Sequence, residues 1–228
     1  MRFSIIIPVL DEAAGIERHL AALAPLRARG HEVIVVDGGS SDATVTLSRP
    51  HVDRVISASR GRALQMNAGA AEARGEMLLF LHADTFLPER ADEIVAASIG
   101  TGDRVWGRFD VRITGRHPLL AVVARLMNLR SRWTGIATGD QALFVRREVF
   151  ARAGGFPAIA LMEDIALSSA LKRIGPPVCL RACVVTSGRR WEKHGVVRTI
   201  AHMWRLRLAY YFGADPDRLA RRYRPHES

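Results

Sequence analysis

Apolar positions in the first third of the chain fall into short continuous runs separated by segments with helical spacing. Residues 4–8, 32–37, 54–58 and 77–81 are rich in Ile, Val and Leu, as strands covered on both faces of a parallel sheet require. Between the first two runs, Ile16, Leu20, Leu23 and Leu26 recur at three- and four-residue intervals. That spacing predicts one amphipathic helix ending at Gly30. Ser40, Ser41 and Asp42 offer caps for a short helix through Leu47, and 61–74 reads as an alanine-rich helix. Strands and helices therefore alternate, which predicts a parallel sheet with right-handed crossovers.

Past Pro88 the pattern changes. A helix is expected at 89–99, followed by a strand at 104–113 in which charged and apolar residues roughly alternate, as on a strand with one wet face. Further helices are expected at 118–131 and 163–174, the latter stopped by Gly175, Pro176 and Pro177, with strands at 141–145 and 178–185. A single final helix carries Val197, Ile200, Trp204, Leu208 and Tyr211 on one face. This stripe is expected to pack on the core, the alternative being contact with an anionic membrane face. With no internal repeat, low-complexity tract or Pro/Ser-rich linker, the two halves are expected to share one sheet in one domain.

Composition narrows the class. With 228 residues, 48% of them hydrophobic, the chain can bury a substantial core. Cys179 and Cys183 are too few for a disulfide scaffold and lack a second pair for zinc, so they read as packing residues in a reducing cytoplasm. No signal-peptide region opens the chain, and no uncharged run approaches the roughly 18 residues of a membrane span. A cytoplasmic protein, peripheral at most to the inner membrane face, is expected. The net charge is +10, and the last forty residues hold ten Arg or Lys against four Asp or Glu. This basic end reads as a solvated helix with some attraction for anions.

Three apolar runs lead into acids: Asp11 and Glu12, Asp37, and Asp84. Ligands of open α/β sheets gather outside the carboxyl ends of the strands. Acids converging there beside a phosphate-bearing ligand suit Mg²⁺ or Mn²⁺, which prefer hard oxygen donors. After the first strand the chain reads Pro8-Val-Leu-Asp-Glu12, where a dinucleotide fold would need G-x-G-x-x-G and a P-loop would need G-x-x-x-x-G-K-[ST]. A dehydrogenase or an ordinary NTPase is thereby disfavoured. A nucleotide would have to be held by carboxylates and metal.

In order along the chain, IIPVLDE (6–12), VIVVDGGSSDAT (33–44), LLFLHADT (78–85), GDQALFVRR (139–147), GGF (154–156) and EDIALSSALKRIG (163–175) resemble the motifs of a family 2 inverting glycosyltransferase. The wording HADT, GDQALF and RRW further resembles a compact bacterial subgroup labelled radical-SAM/selenodomain-associated or arsenosugar-biosynthesis transferases. The resemblance implies an α/β GT-A fold, Rossmann-like, with a mixed, mostly parallel sheet flanked by helices. It divides the single domain into a nucleotide-binding half (1–115), an acceptor and catalytic half (116–193) and a basic helical segment (194–228). It also implies a hexosyltransferase that uses a nucleotide-diphosphate sugar, UDP-linked, with Mg²⁺ or Mn²⁺, and a small-molecule or lipid-linked acceptor.

The resemblance carries roles residue by residue. Asp37 matches the aspartate that contacts the base, with a turn cap for Gly38-Gly39-Ser40 as the alternative; Pro8 and Glu12 would line the same pocket. Arg62 is placed to reach the diphosphate. Asp84 matches the metal-binding aspartate that ends D-x-D, but His82 stands where the first aspartate would be. His82 reads as a hydrogen-bonding neighbour, and His194 as a further metal or phosphate contact. Glu163 and Asp164 match the E-D pair whose aspartate is the general base, although acids at a helix start are also ordinary caps. Asp140 is a hydroxyl partner in the donor pocket. Arg190, in Arg190-Trp191, resembles part of the Q-x-x-R-W of processive synthases and would stabilise the leaving group; Ser187 replaces the glutamine. Rival readings are a nucleotidyltransferase, or a non-catalytic basic module on RNA or lipid. Aromatic residues, 7% of the chain, are sparse for single-strand binding, so no nucleic-acid partner is expected.

Overall fold

The structure, a computed structural model, describes residues 1–99 and 104–223, without the side chains of Arg190, Lys193 and His194. The first half is built on strand β1 (Phe3–Val9), helices α1 (Ile16–Ala21) and α2 (Ala24–Ala28), and strand β2 (Glu32–Asp37). It continues through α3 (Thr44–Ser48), β3 (Arg54–Ser57), α4 (Arg62–Glu72) and β4 (Met77–Phe80). β1 pairs in parallel with both β2 and β4, Val9 lying opposite Asp37 and Ile6 opposite Phe80, and β2 pairs in parallel with β3. This register brings the carboxyl ends of the strands to one edge.

Both faces of this sheet are covered, which is why its strands read as unbroken apolar runs. Ile5, Ile7, Val33 and Val35 pack with Ile16, Leu20 and Leu23 on one face. Ile6, Ile34 and Val36 pack with Ala63, Met66 and Ala70 of α4 on the other. The alternation of β1 between the two clusters follows the two-residue period of a strand. α4 approaches closely because position 69 is glycine: an added Cβ would overlap Ile6 Cγ2 and come within 2.9 Å of Val36 Cγ2.

The second half adds β5 (Thr85–Phe86), α5 (Ala91–Ser98), β6 (Trp106–Thr114), α6 (Leu119–Thr134), β7 (Phe144–Arg146) and α7 (Arg147–Arg152). Then follow α8 (Glu163–Lys172), β8 (Val178–Ser187), α9 (Arg189–His194), α10 (Val196–Tyr211) and α11 (Pro216–Tyr223). The described strands form one mixed sheet in the order β3-β2-β1-β4-β7-β6-β8-β5. β7 runs antiparallel to β4 and β6, β8 parallel to β6, and β5 antiparallel to β8.

Several expectations need correction. The helix from Ile16 to Gly30 is two helices, with Pro25 in the first turn of α2, where its missing N–H costs nothing. Residues 139–141 form a 3-10 turn, so the strand expected at 141–145 is confined to β7. β6 has no wet face over its first six residues: Arg108 is fully buried and ion-paired with Asp110, which also pairs with Arg132 of α6. Arg108 further donates to Ser131 Oγ at 3.0 Å and the Asn128 carbonyl at 3.1 Å. The expected final helix is α10, entered through Gly195 (φ 81°), a conformation that glycine adopts without strain, and α11 follows it. Of the apolar stripe on α10, Ile200 packs against the core, but the rest does not: Trp204 is 69% and Tyr211 82% exposed, and Val197 and Leu208 are exposed as well.

The close approach at Gly69 gives a direct test of the α4 seating. Gly69→Ala is expected to cost about 1–3 kcal/mol through overpacking, although alanine favours helices. Thermal unfolding of the variant, with a melting temperature unchanged or raised, would show that α4 does not sit this tightly on β1.

Candidate functional site

The loops after β1 and β2 are tied to each other. Asp11 adopts a left-handed conformation (φ 52°), and its carboxylate accepts from the Ser41 N–H at 2.7 Å. The Asp11 N–H donates to Ser40 Oγ at 2.9 Å, the Glu12 N–H to Thr44 Oγ1 at 2.7 Å, and the Ala13 N–H to Asp42 at 3.0 Å. Below the loops the buried Gln65 amide donates to two carbonyls, Val9 at 2.9 Å and Val36 at 2.8 Å. Asp37, also buried, accepts from the backbone N–H groups of Gly39 at 3.1 Å and Ser40 at 3.0 Å. Its carboxylate is thus engaged as the cap of the Gly38-Gly39-Ser40 turn, the alternative role weighed for it.

At the end of β4 two threonines aim Asp84. The Thr85 and Thr186 hydroxyls lie 3.0 Å apart and within 3.3 and 3.5 Å of Asp84 Oδ1. His82 Nδ1 stands 3.4 Å from Asp140 Oδ1, as a hydrogen-bonding neighbour. The His82 ring lies against Gly139, where an added Cβ would overlap Nε2. Beneath it His19 is buried edge-on to Phe86, both ring nitrogens lacking a hydrogen-bond partner among the described residues. Burial, and then the nearby His82, pushes the His19 pKa down to about 4, so it is neutral at ordinary pH.

α8 supplies the third wall. Met162, at its N-cap, is left-handed (φ 69°), and the next residue, Glu163, is buried. Asp164 Oδ2 accepts from the Gly139 N–H at 2.9 Å and Oδ1 from the Ile165 N–H at 2.7 Å, so the carboxylate has one fixed orientation. Burial, and then the charge of Asp164, raises Glu163 well above the usual carboxylate range. The turn beneath is closed by the reciprocal bonds of Thr138 and Gln141, and Ala142 follows at φ 46°. Three of the four described non-glycine residues with positive φ, Asp11, Ala142 and Met162, therefore flank this edge. Such outliers persist only where the surroundings enforce them, and they concentrate at functional sites.

Electrostatics shows which of the expected residues come together. Burial, and then Asp84, raises the Glu12 pKa, against the pull of Arg189 and Arg62. Burial pushes Asp140 up, but His82, then Arg62 and Arg207, hold it below the usual range. Arg62, at the first turn of α4, also acts on Glu163. Glu12, Arg62, Asp84, Asp140, Glu163 and Asp164 therefore form one cluster. Pro8 sits within β1 opposite Val36, one residue before the strand ends. The side chains of Arg190 and His194 lie outside the described residues.

The sequence reading missed Gln65, Thr186, His19, Arg130 and Arg207. For Gln65 a signal existed, since a carboxamide on the inner face of an alanine-rich helix must find buried partners. Among the described residues no group of three or more His, Cys, Asp or Glu could hold a metal alone. The donor set nevertheless suits Mg²⁺ or Mn²⁺. Asp84 is a hard carboxylate close enough to Glu12 to raise its pKa. These ions commonly take one or two protein carboxylates and complete their shell with substrate phosphates and water.

The family profile of glycosyl transferase family 2 matches residues 4–152. A PGL/p-HBAD biosynthesis glycosyltransferase of Mycobacterium bovis is 35% identical over 173 residues, covering 69% of this chain and 61% of its own. This chain thus spans about three fifths of that relative's length. An uncharacterized glycosyltransferase of Mycobacterium tuberculosis is 31% identical over 229 residues, covering 92% of this chain and 86% of its own. Among solved structures, the mannosyltransferase PcManGT from Pyrobaculum calidifontis in complex with GDP-Man and Mn²⁺ superposes with a TM-score of 0.65 at 22% identity. That match covers 91% of this chain and 61% of the other. S. aureus TarS 1-349 in complex with UDP-GlcNAc gives 0.66 at 20% identity, covering 83% and 59%. With its mixed α/β sheet shared with the GT-A glycosyltransferases and its motif-bearing segments matched in sequence, the chain belongs to glycosyl transferase family 2.

Proposed function

We propose that this chain transfers a sugar from a UDP-linked donor to an acceptor by single displacement with inversion. The observation that carries the reading is the Asp164 carboxylate, fixed by the Gly139 and Ile165 N–H groups in one cluster with Asp84. A general base must present a free oxygen lone pair in a defined direction, and this orientation supplies it. Asp164 takes the acceptor proton as its oxygen attacks the anomeric carbon, and the sugar–phosphate bond breaks on the opposite side. Glu163 orients the acceptor. Arg62 and Arg190 stabilise the departing diphosphate, Pro8, Glu12 and Asp37 line the base and ribose pocket, and Asp140 meets a donor-sugar hydroxyl.

Asp84, with His194, would hold Mg²⁺ or Mn²⁺, whose charge offsets that developing on the diphosphate. The structural neighbours crystallised with GDP-Man and Mn²⁺ or with UDP-GlcNAc support this donor class. In this reading residues 1–115 bind nucleotide, 116–193 hold acceptor and catalytic groups, and 194–228 form a basic helical segment. The wording HADT, GDQALF and RRW supports membership of the compact radical-SAM/selenodomain-associated or arsenosugar-biosynthesis subgroup.

No helix among the described residues is long and apolar enough to cross a membrane. A peripheral place on the cytoplasmic membrane face is supported by two exposed apolar faces. α10 shows Trp204, Leu208 and Tyr211, and α6 shows Val122, Leu126 and Trp133, with exposed Arg125, Arg198 and Arg205 on the same helices. Such a combination suits the interface of an anionic bilayer.

Four outcomes follow. Excess chelator and Asp84→Ala should each abolish sugar transfer, restored to the wild type alone by added Mn²⁺; full turnover in chelator would remove the metal from the reaction. Asp164→Asn should lower turnover by about two to four orders of magnitude with donor affinity nearly intact. A variant that melts normally and turns over at wild-type speed would leave the base elsewhere. Glu163→Gln should be milder in rate and informative in stability. The raised pKa of Glu163 means that its protonated form stabilises the fold below the ordinary value of 4.5, a contribution lost as pH rises through the raised value. The permanently neutral glutamine should therefore gain stability relative to wild type on the alkaline side, read as melting temperature against pH. Finally, flotation at low salt should show enrichment on acidic over neutral vesicles, and equal recovery would end the membrane reading.

A further inference from the structure

Arg108 shows how this fold buries an arginine: its guanidinium is paired with Asp110, Ser131 and the Asn128 carbonyl. Arg130 and Arg207 depart from that pattern. Nε and Nη2 of Arg130, on α6, and Nε of Arg207, on α10, are shut off from solvent and have no hydrogen-bond partner among the described residues. A buried donor left unmade forfeits its hydration without return, and charged donors forfeit most. The two guanidinium groups are also close enough for each to feel the other's charge. Burial, and then Arg207, draws the Arg130 pKa down to about 10, which leaves it charged at neutral pH.

The arrangement lies beside the proposed base. Asp164 and Asp140 are the acids whose charge acts on Arg130, yet Nε and Nη2 of Arg130 bond to neither: Asp164 is oriented by backbone N–H groups and Asp140 faces His82. Arg207 also lines a cavity of about 550 Å³ between α8 and the α10–α11 turn. Ile165, the residue after Asp164, lines it too, together with Ser169, Tyr210, Tyr211 and Pro216. The cavity therefore reaches the first turn of α8, the turn that carries Asp164.

We propose that Arg130 and Arg207 form the receptor for a phosphate group carried by the acceptor, whose remainder occupies the adjoining cavity. The inference rests on the assignment of Asp164 as base and names what the acceptor must carry. Two guanidinium groups match a phosphate dianion in charge and supply paired donors to its oxygens. With phosphate in place the orphaned N–H groups are satisfied and the two cations no longer repel. The phosphate belongs either to a soluble metabolite or to a lipid headgroup. The second source is favoured by the exposed apolar residues that α6 and α10 carry on their outer faces.

The test measures binding without turnover. UDP with Mn²⁺ is titrated first by calorimetry; its failure to bind would count against the nucleotide-sugar reading alone, and the phosphate titrations are then run without it. Otherwise the UDP-saturated protein is titrated with inorganic phosphate, glycerol 3-phosphate and octyl phosphate. Arg130→Gln and Arg207→Gln should each weaken all three by about tenfold or more, with UDP affinity unchanged, and Arg130→Lys should weaken them less. Without phosphate, Arg130→Gln should melt no lower than wild type, because the native guanidinium is unpaired there, whereas a purely structural arginine would lower the melting temperature. Octyl phosphate binding at least tenfold tighter than glycerol 3-phosphate would identify a lipid source, and equal affinities a soluble one. Wild-type protein that binds none of the three, or variants that bind them as well as wild type, would overturn the proposal.

Discussion

The site depends on a single side chain that holds two strand ends. Gln65 bonds the carbonyls of Val9 and Val36 at the level where β1 and β2 cease to pair. The Val9 carbonyl also accepts from the Gly38 N–H at 3.0 Å, and the carboxamide adds a second donor that clamps it to the Val36 carbonyl of the neighbouring strand. With it, the two following loops leave the sheet from fixed points and can be tied together through Asp11, Ser40, Ser41 and Thr44. α4 presents Gln65 at this point because Gly69, one turn further along, lets the helix lie against Ile6 and Val36. The position of Glu12 at the edge is therefore a consequence of helix-on-sheet packing some distance below it.

A second constraint fixes the opposite wall. The buried Arg108–Asp110–Arg132 network joins β6 to α6, and Asn128 exchanges hydrogen bonds with the backbone of Val111 at 2.9 and 3.0 Å. Buried ion pairs are weak evidence of stability, since desolvation offsets much of the attraction. Their geometric demand is strong: every donor here must meet its acceptor, so α6 cannot slide along β6. Because Arg130 belongs to the same turn of α6 as Ser131 and Arg132, this network sets where its guanidinium stands.

How far the sequence speaks follows from what produces its signals. β1, β2, β4 and α4 were legible because burial on both faces leaves uninterrupted or strongly periodic apolar residues. β5 has two residues and α7 six, too few for any period to show, and both exist through pairing or packing with distant segments. The break between α1 and α2 escaped notice because both helices face the same sheet, so the apolar spacing continues across it. β6 misled for the opposite reason: charges at Arg108 and Asp110 imitate a wet face, and only their partners on α6 explain their burial. In the site, the acids stood out because they follow strands. Arg130 and Arg207 did not, because arginine is common throughout this chain and nothing local distinguishes one whose donors are shut off from solvent.

The charges of the site are sorted by position, and this sorting gives it direction. Glu12 and Asp84 make one corner acidic enough for Asp84 to raise the Glu12 pKa, so it favours a cation together with whatever anion that cation brings. Arg130 and Arg207 bring cationic charge to the site, and the charges of Asp164 and Asp140 act on Arg130. His19, buried and neutral below His82, adds no charge to either side. Arg62 is the link, acting at once on Glu12, Asp140 and Glu163. A substrate with a diphosphate at one end and an acceptor anion at the other would be aligned across Asp164 by this field alone, before any close contact forms. Interactions inside such a partly dry cleft are stronger than the same charges would be in water. As the proposed base, the fixed carboxylate would need only the reach of one hydrogen bond to meet an acceptor proton, and the backbone bonds from Gly139 and Ile165 hold its direction.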